Sequence, residues 1–210
     1  EAKRQIDEHI FENLSEVTDL IKNQSSNFGL DISSISTTID SKELSSNGDR
    51  ISLHADNIPI RLKGKGSKRL TSFAIQSALL KDGGIMLVDE IEQGLEPDRV
   101  KHLVRELKDQ NEGQIFLTTH SREVITELTS KHFLLVLKEK NGPRVKTKRL
   151  EIEDAVLQGV VRACPEAFFA TRVIVCEGKT EVGICRAIDK YRRLNGSEPM
   201  SFSDCAYVDR

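Results

Sequence analysis

Two acidic residues, Asp89 and Glu90, directly follow the apolar run Ile85–Val88. A short run of this kind predicts a strand buried on both faces of a parallel sheet. Both carboxylates are then expected at the carboxyl edge of the sheet, where α/β proteins bind ligands. The first acid suits the binding of Mg²⁺, and the second suits polarising the water that attacks a γ-phosphate. Because apolar strands often end in acids, a purely structural role explains this pair equally well.

Two further features favour the same chemistry. The run Ile115–Leu117 leads into His120, which places a histidine at the same predicted edge, where a neutral imidazole can hold a γ-phosphate and its attacking water. Upstream, Gly64, Gly66 and Ser67 form a glycine-rich turn that opens a predicted helix. Free backbone N–H groups at a helix start bind anions. Taken alone, such a turn is more often a flexible loop.

In this order the motifs resemble those of the ABC ATPase superfamily. Gly64–Arg69 is similar to the signature motif, Ile85–Glu90 to Walker B with its catalytic Glu, Glu92–Pro97 to the D-loop, and His120 to the switch histidine. The resemblance implies that ATP is sandwiched between two ATPase heads and that the protein forms a homo-oligomer through them. It further implies that Asp89 supports Mg²⁺, that the second acid of the pair activates the water, and that the histidine senses the γ-phosphate.

The sequence also departs from that family. The signature lacks the usual Leu-Ser-Gly-Gly form, and no G-x-x-x-x-G-K-[ST] pattern occurs in the 210 residues. The first residue is Glu1 rather than Met. We therefore expect the phosphate-binding loop to lie upstream of this chain, which by itself should not hydrolyse ATP.

A second constellation follows another apolar run, Val173–Cys176. Glu177 ends the predicted strand, Gly178 permits a turn, and Glu181 lies one helical turn further on, so the two carboxylates can converge on one divalent metal. A solvated loop before an acid-rich helix start explains the same residues equally well. The Gly-Lys-Thr within this segment is not expected to be a P-loop, because Val173 stands where that loop needs glycine.

This segment is similar to the opening strand and E-G-x-x-E motif of Toprim domains. An ABC-type ATPase followed directly by Toprim resembles the OLD family of ATP-dependent nucleases, which includes the nuclease subunit of the Gabija anti-phage system. In those proteins Glu177 and Glu181 match metal-binding acids that use Mg²⁺ or Mn²⁺, with Glu177 the essential one. The later Asp-x-Asp pair of the family is not seen here, and Asp209 is not assigned a metal role.

A run of cations lies between the two constellations. Its members surround a single acid, and they are Lys138, Lys140, Arg144, Lys146, Lys148 and Arg149. A solvated hairpin is the default interpretation of such a run. In a nuclease the same residues can follow a DNA backbone. Since the net charge of the chain is −2, any contact with DNA has to come from a local patch of this kind.

Residue periodicity predicts the individual elements. Residues 4–22 predict a helix followed by a polar stretch at 23–27, and residues 35–39, 51–53 and 58–62 predict short antiparallel strands with a turn at Ser46–Asp49. The runs 85–88, 115–117, 133–137 and 173–176 predict buried strands, and Asn141–Gly142 predicts a hairpin turn. Three helices are expected to bury one apolar face each: Leu70, Phe73, Ala74, Ser77 and Ala78 after the glycine-rich turn; Val100, Leu103, Val104 and Leu107 after Pro97; and Ile184, Cys185, Ile188 and Tyr191 after Gly178.

The order of elements predicts an α/β fold with a mostly parallel sheet and flanking helices. Three parts are expected: the C-terminal part of an ABC-type ATPase domain at 1–150, linker helices at 151–171, and the N-terminal part of a Toprim domain at 172–210. No apolar run approaches the roughly 18 residues that a membrane span requires, and no signal peptide is evident. A cytoplasmic protein without a membrane partner is expected.

The function indicated is that of an ATP-binding, metal-dependent DNA endonuclease of the OLD type, acting in anti-phage defence, with DNA and a helicase-like or other defence protein as partners. One alternative is a DNA-repair or clamp ATPase of the RecF or SMC kind without nuclease activity. Another is a nucleotide-controlled switch that recruits a separate effector.

Overall fold

The computed structural model describes residues 2–40, 50–80, 83–110, 113–138, 144–200 and 205–209. The chain divides into two units, Glu1–Thr119 and His120–Arg210. The turns predicted at Ser46–Asp49 and at Asn141–Gly142 lie outside the described residues. The described part contains helices together with parallel and antiparallel strand pairs, so the prediction of an α/β fold is confirmed. The predicted limits of the ATPase and Toprim domains stay predictions.

The first unit opens with helix α1, Ala2–Asn27. The polar stretch at 23–27, predicted to follow the helix, is instead its last turn. The chain leaves α1 at Gly29, whose φ of 80° is left-handed. There the Leu30 N–H donates to the Ser25 carbonyl and the Gly29 N–H to the Ser26 carbonyl, the hydrogen bonds of a Schellman motif.

Three short antiparallel strands follow, as predicted: β1 (Ile35–Asp40), β2 (Arg50–Ala55) and β3 (Ile58–Pro59). The predicted third strand extended to Leu62, but residues Ile60–Leu62 form a 3₁₀ turn. Pro59 has no N–H to donate, so the ladder between strands cannot continue through it.

The remainder of the first unit alternates strand and helix. Helix α2 spans Lys65–Leu79, strand β4 Ile85–Val88, helix α3 Pro97–Asp109 and strand β5 Gln114–Leu117. Strands β4 and β5 pair in parallel. The apolar stripe predicted for α3 is buried and consists of Val100, Leu103, Val104 and Leu107. Most of the stripe predicted for α2 is buried as well, so both helices pack through the faces that their periodicity indicates.

The two strands differ from prediction in their burial. Met86 and Val88 are buried, but the alternate residues Ile85 and Leu87 are 66% and 73% exposed. Phe116 on β5 is also exposed. Successive side chains of a strand point to opposite faces, so one face of this pair packs on the core and the other is open to solvent. The expectation of strands buried on both faces is therefore wrong for this unit.

The second unit contains α4 (Arg122–Glu127), the antiparallel pair β6 (Leu134–Lys138) and β7 (Val145–Arg149), and α5 (Asp154–Ala163). The parallel pair β8 (Arg172–Cys176) and β9 (Cys205–Asp209) flanks helix α6 (Lys179–Leu194) in the chain. One small core gathers Ile125, Leu157 and Val161, and another gathers Cys164, Ala206 and Val208.

Helix α6 does not bury the face that was predicted. Ile184, Ile188 and Tyr191 are exposed, and the buried residue is Asp189. Its carboxylate accepts hydrogen bonds from the Met200 N–H at 2.7 Å and the Tyr207 hydroxyl at 2.8 Å. Burial, and then the bond to Asp189, raise the pKa of Tyr207. Because these bonds satisfy the carboxylate, a charged residue can take the inward position. Strands β6 and β8, also predicted to be buried, are mostly exposed.

Candidate functional site

The predicted acids lie at the carboxyl edge of the parallel pair in the first unit. Asp89 and Glu90 follow β4, and Thr118 follows β5 in the neighbouring register position. The Thr118 hydroxyl donates to Asp89 Oδ1 at 2.6 Å and accepts the Glu90 N–H at 2.9 Å. One hydroxyl therefore ties the carboxylate of the first acid to the backbone of the second. Sequence reasoning assigned no role to Thr118, although its place directly after β5 was the available signal.

Glu90 has an unusual backbone conformation. Its φ of 46° lies in the left-handed region, which costs a residue other than glycine on the order of 1–3 kcal/mol. Two backbone hydrogen bonds stabilise this conformation: the Gln93 N–H donates to the Glu90 carbonyl at 2.9 Å, and the Ile91 N–H donates to the Thr118 carbonyl at 3.2 Å. Both acidic side chains are exposed. The turn thus directs two carboxylates at solvent, where a ligand can reach them.

A second threonine–acid contact lies beside the first. The Thr119 hydroxyl donates to Glu92 Oε2 at 2.8 Å. It joins the residue that follows Thr118 to the segment predicted to resemble a D-loop. That segment ends at the start of α3, where Glu96 occupies the N-cap position without a side-chain capping bond. Pro97 is the first helical residue, a position at which the N–H that proline lacks would have no partner within the helix. The end of β5 is therefore bonded to both sides of the acidic turn.

The glycine-rich turn begins α2, as predicted, with Gly64 as its N-cap residue. A Cβ atom on Gly66 would lie 3.0 Å from the Gly94 carbonyl oxygen, so a side chain there requires the backbone to shift. Ser67 is half-buried, and its carbonyl accepts the Thr71 hydroxyl at 2.9 Å. The first turn of α2 therefore lies directly against the turn that follows the acids.

A cleft of about 490 Å³ opens at this contact. The residues that line it are Lys65, Lys68, Arg69, Ser72, Gln93 and Gly94. Three of them are cations that lie in the first turns of α2 itself. The first N–H groups of a helix have no partner within the helix. Positive charge and free N–H donors together suit an anion such as a phosphate. The predicted nucleotide residues Gly64, Gly66 and Ser67 do not line this electropositive cleft themselves, but they are next in the chain to Lys65 and Lys68, which do.

His120 opens the second unit. It is exposed, and its ring centroid lies 6.0 Å from that of Phe169 with the planes inclined by 51°. This ring contact lies within the second unit. The proposed role of His120 as a γ-phosphate sensor stays a prediction.

The second acidic constellation lies at the carboxyl end of β8. Glu177 follows the strand, Gly178 is the N-cap of α6, and Glu181 lies in its first turn. A Cβ atom on Gly178 would be 3.6 Å from Glu181 Oε2, so the Glu181 carboxylate turns back toward the strand end. In the register of the parallel pair, Asp209 stands beside Cys176. Within the described residues, no group of three or more His, Cys, Asp or Glu forms a metal site.

The cations of the predicted DNA-binding run divide between two faces. In the register of β6 and β7, Lys146 and Lys148 stand opposite Leu137 and Leu135, while Lys138 stands opposite Val145. Since directly opposed residues share a face of the ladder, Lys146 and Lys148 lie on one face and Lys138 lies on the other with Arg149. Arg144 is exposed at the start of β7, and Lys140 lies outside the described residues. No single face carries all of these charges.

The fold of the first unit and its acidic edge are those of an α/β nucleotide-binding domain. The family described as "AAA domain, putative AbiEii toxin, Type IV TA system" matches residues 3–126, more than half of the 210 residues. The chain belongs to this family, and the prediction of an ATPase domain is confirmed. The Toprim, nuclease and anti-phage predictions are not tested by this match. No curated protein matches the chain.

Two solved structures of SMC proteins are similar to the chain. One, described as structural biochemistry of ATP-driven dimerization and DNA-stimulated activation of SMC ATPases, is 18% identical with a TM-score of 0.45, covering 69% of this chain and 92% of that one. The other, a crystal structure of the SmcHead bound to the C-winged helix domain of ScpA, is 18% identical with a TM-score of 0.48, covering 67% of this chain and 44% of that one. Similarity at this level carries no information about activity.

None of the helices in the described part of the chain is both long enough and apolar enough to cross a membrane.

Proposed function

We propose that this chain belongs to an ATP-hydrolysing, metal-dependent DNA endonuclease, with the ATPase site at the end of β4 and the nuclease site at the end of β8. The observation that carries the ATPase half is the Thr118 hydroxyl, which binds the Asp89 carboxylate and the Glu90 N–H together. The Thr118 hydroxyl donates its one proton to Asp89 and accepts the Glu90 N–H with a lone pair, so it holds the two neighbouring acids in different environments. The Asp89 carboxylate is bonded to Thr118 and suits a cation, whereas the Glu90 carboxylate does not contact Thr118 and has an oxygen that can accept a proton.

The two acids then take separate roles. The second oxygen of Asp89 suits Mg²⁺, directly or through water, because hard oxygen donors are its preferred ligands. When bound, Mg²⁺ supplies charge neutralisation at the phosphates of ATP. Glu90 orients the attacking water and accepts its proton, and His120 contacts the γ-phosphate. Gly64, Gly66 and Ser67, at the start of α2, offer backbone N–H groups to the nucleotide of a second copy, so the protein forms a homo-oligomer through its ATPase domains.

The nuclease half rests on Glu177 and Glu181. Both carboxylates are exposed at the end of a parallel strand pair, and the Glu181 carboxylate turns toward that end. Mg²⁺ is commonly bound by one or two carboxylates and keeps several waters, so the two acids fit it without further protein ligands. A metal held by these two acids would supply water activation or charge stabilisation at a phosphodiester. Lys146 and Lys148, on one face of β6–β7, offer a two-residue contact for the DNA backbone.

This proposal is tested by two assays on the full-length protein: ATP hydrolysis, and nicking of supercoiled plasmid in Mg²⁺ or Mn²⁺. We expect the protein to hydrolyse ATP, and to nick the plasmid only when the divalent metal is present. Absence of ATP hydrolysis would contradict the first half, and absence of nicking at every nucleotide and metal condition would contradict the second. A role in anti-phage defence with a helicase-like partner predicts that loss of either activity restores phage growth on cells that express the protein.

A second candidate, a DNA-repair or clamp ATPase without nuclease activity, is favoured by one observation. The family match covers residues 3–126, which include the acids of the ATPase site but neither Glu177 nor Glu181. This candidate predicts ATP hydrolysis and DNA binding by a protein that never cuts the plasmid.

Replacing Thr118 by Val should lower ATP turnover by about 10- to 100-fold, the usual effect of removing a residue that orients a metal ligand. Valine keeps the shape of threonine but leaves Asp89 without its donor and the Glu90 N–H without its acceptor. The rate should recover in part at high Mg²⁺, because the lost contact orients a metal ligand. Turnover measured against Mg²⁺ concentration checks this expectation.

Thr38→Val is the matched control, because it removes an exposed strand hydroxyl whose contact is to His54 in the first sheet. If Thr118→Val and Thr38→Val show the same turnover and the same Mg²⁺ dependence as the wild type, the bridging role of Thr118 is wrong.

A further inference from the structure

Arg69 connects helix α2 to the acidic turn. Its Nη2 donates to the carbonyl oxygen of Asp89 and, at 3.1 Å, to that of Glu90. These are the first two carbonyls after β4 ends, so a strand partner is not available to them. A guanidinium is planar and permanently charged, and the two N–H donors of Nη2 can hold two acceptors in a fixed relation. Arg69 thus binds the backbone carbonyls of Asp89 and Glu90 and not their carboxylates.

The remainder of the Arg69 side chain is held by its own helix. The guanidinium carbon lies 5.0 Å from the centre of the Phe73 ring, one turn further along α2, which is within the range of a cation–π contact. Its Nε is buried and has no hydrogen-bond partner in the described part of the chain. A buried donor without a partner is uncommon, so the side chain keeps this position because of its Nη2 and ring contacts.

We propose that Arg69 is a positioning residue that holds the Asp89–Glu90 turn and connects its conformation to helix α2. The inference rests on the proposed ATPase function. The Glu90 backbone is left-handed, and its carbonyl receives both Arg69 and the Gln93 N–H. Removing the guanidinium leaves one of these bonds and lets the turn relax toward ordinary φ values. The Glu90 carboxylate then no longer keeps a single orientation toward its ligand.

Helix α2 also lines the electropositive cleft, through Lys65, Lys68 and Arg69 itself. An anion that binds in the cleft and draws the first turn of α2 toward it therefore also moves Arg69, which holds the Glu90 backbone. Arg69 in this way connects occupation of the cleft with the orientation of the acid that activates water.

The kinetic test compares Arg69→Gln, Arg69→Lys and the matched control Arg105→Gln, an exposed arginine on α3, in the full-length protein. We expect Arg69→Gln to lower kcat by about 30-fold or more with the Kd of ATP within about threefold, since misplacing a reacting group slows chemistry rather than binding. Arg69→Lys, which keeps the charge but not the planar guanidinium, should recover part of the loss. In a Glu90→Gln background, Arg69→Gln should cause no further loss, because both changes act through the same carboxylate.

Amide hydrogen exchange over residues 86–95 provides a readout that does not depend on hydrolysis. The Glu90, Ile91 and Gln93 N–H groups are all hydrogen-bonded within or beside the turn. We expect Arg69→Gln to raise their exchange rates about tenfold or more, while exchange in the α3 core stays unchanged. Unchanged exchange in the turn overturns the proposal, as does an equal additional loss of turnover in the Glu90→Gln background. If the wild type hydrolyses no ATP, the proposed function fails, and the exchange result still decides whether Arg69 holds the turn.

Discussion

Replacing Glu90 by Gln should lower ATP turnover by about a hundredfold or more while ATP still binds, because general base catalysis typically contributes 10²–10⁴-fold. Glutamine has the size of glutamate and can still bond to the Gln93 side chain, which donates to Glu90 Oε2 at 3.4 Å. The backbone bonds to Thr118 and Gln93 do not involve the replaced atoms. The turn should therefore persist, and only the capacity to accept a proton from water is lost.

The measurement is steady-state ATP hydrolysis beside the Kd of ATP. Glu16→Gln on α1 is the matched control, because it neutralises one exposed glutamate away from the strand edge. We also expect the ATP-bound oligomer to last longer in Glu90→Gln, since hydrolysis no longer removes the bound nucleotide. Turnover equal to that of the wild type would exclude Glu90 as the base. A lost affinity for ATP would instead assign it to binding.

Replacing Glu177 by Ala should abolish plasmid nicking, with a loss of at least about 10³-fold, because the proposed metal site would lose the acid that directly follows β8. The change should leave ATP turnover close to that of the wild type, since the acidic turn of the ATPase site lies in the other unit. Folding should also be retained, because the Glu177 side chain is exposed and the strand ends at the buried Cys176.

Nicking is measured on supercoiled plasmid across a range of Mg²⁺ and Mn²⁺ concentrations. Glu198→Ala is the matched control in the same unit. Glu198 is an exposed glutamate, and it accepts a hydrogen bond from Arg192 Nε through its backbone carbonyl, which the substitution keeps. Nicking by Glu177→Ala at the wild-type rate removes this acid from the nuclease site. If neither the wild type nor Glu177→Ala nicks the plasmid while both hydrolyse ATP, the clamp ATPase becomes the better account.

Periodicity and local order of residues determined much of the first unit. The spacing of Val100, Leu103, Val104 and Leu107 indicated which face of α3 is buried, and the structure buries that face. The apolar runs at 85–88 and 115–117 indicated two strands, which pair in parallel and bring Asp89 to an edge shared with the end of β5. These features are local, since side-chain direction repeats every 3.6 residues in a helix and every two in a strand.

Tertiary structure alone decided which side chains meet and which faces are covered. Thr118 and Arg69 come to the acids from 28 and 21 positions away in the chain, counted from Glu90. The place of Thr118 directly after β5 indicates the edge that it shares with the acids, but neither segment specifies the contact itself. The same holds for Asp189, which takes the inward place on α6 because Tyr207 and the Met200 N–H satisfy its carboxylate there. An apolar run predicts a strand, but its burial depends on what packs against each face. Leu87 is therefore exposed in a run that is apolar throughout.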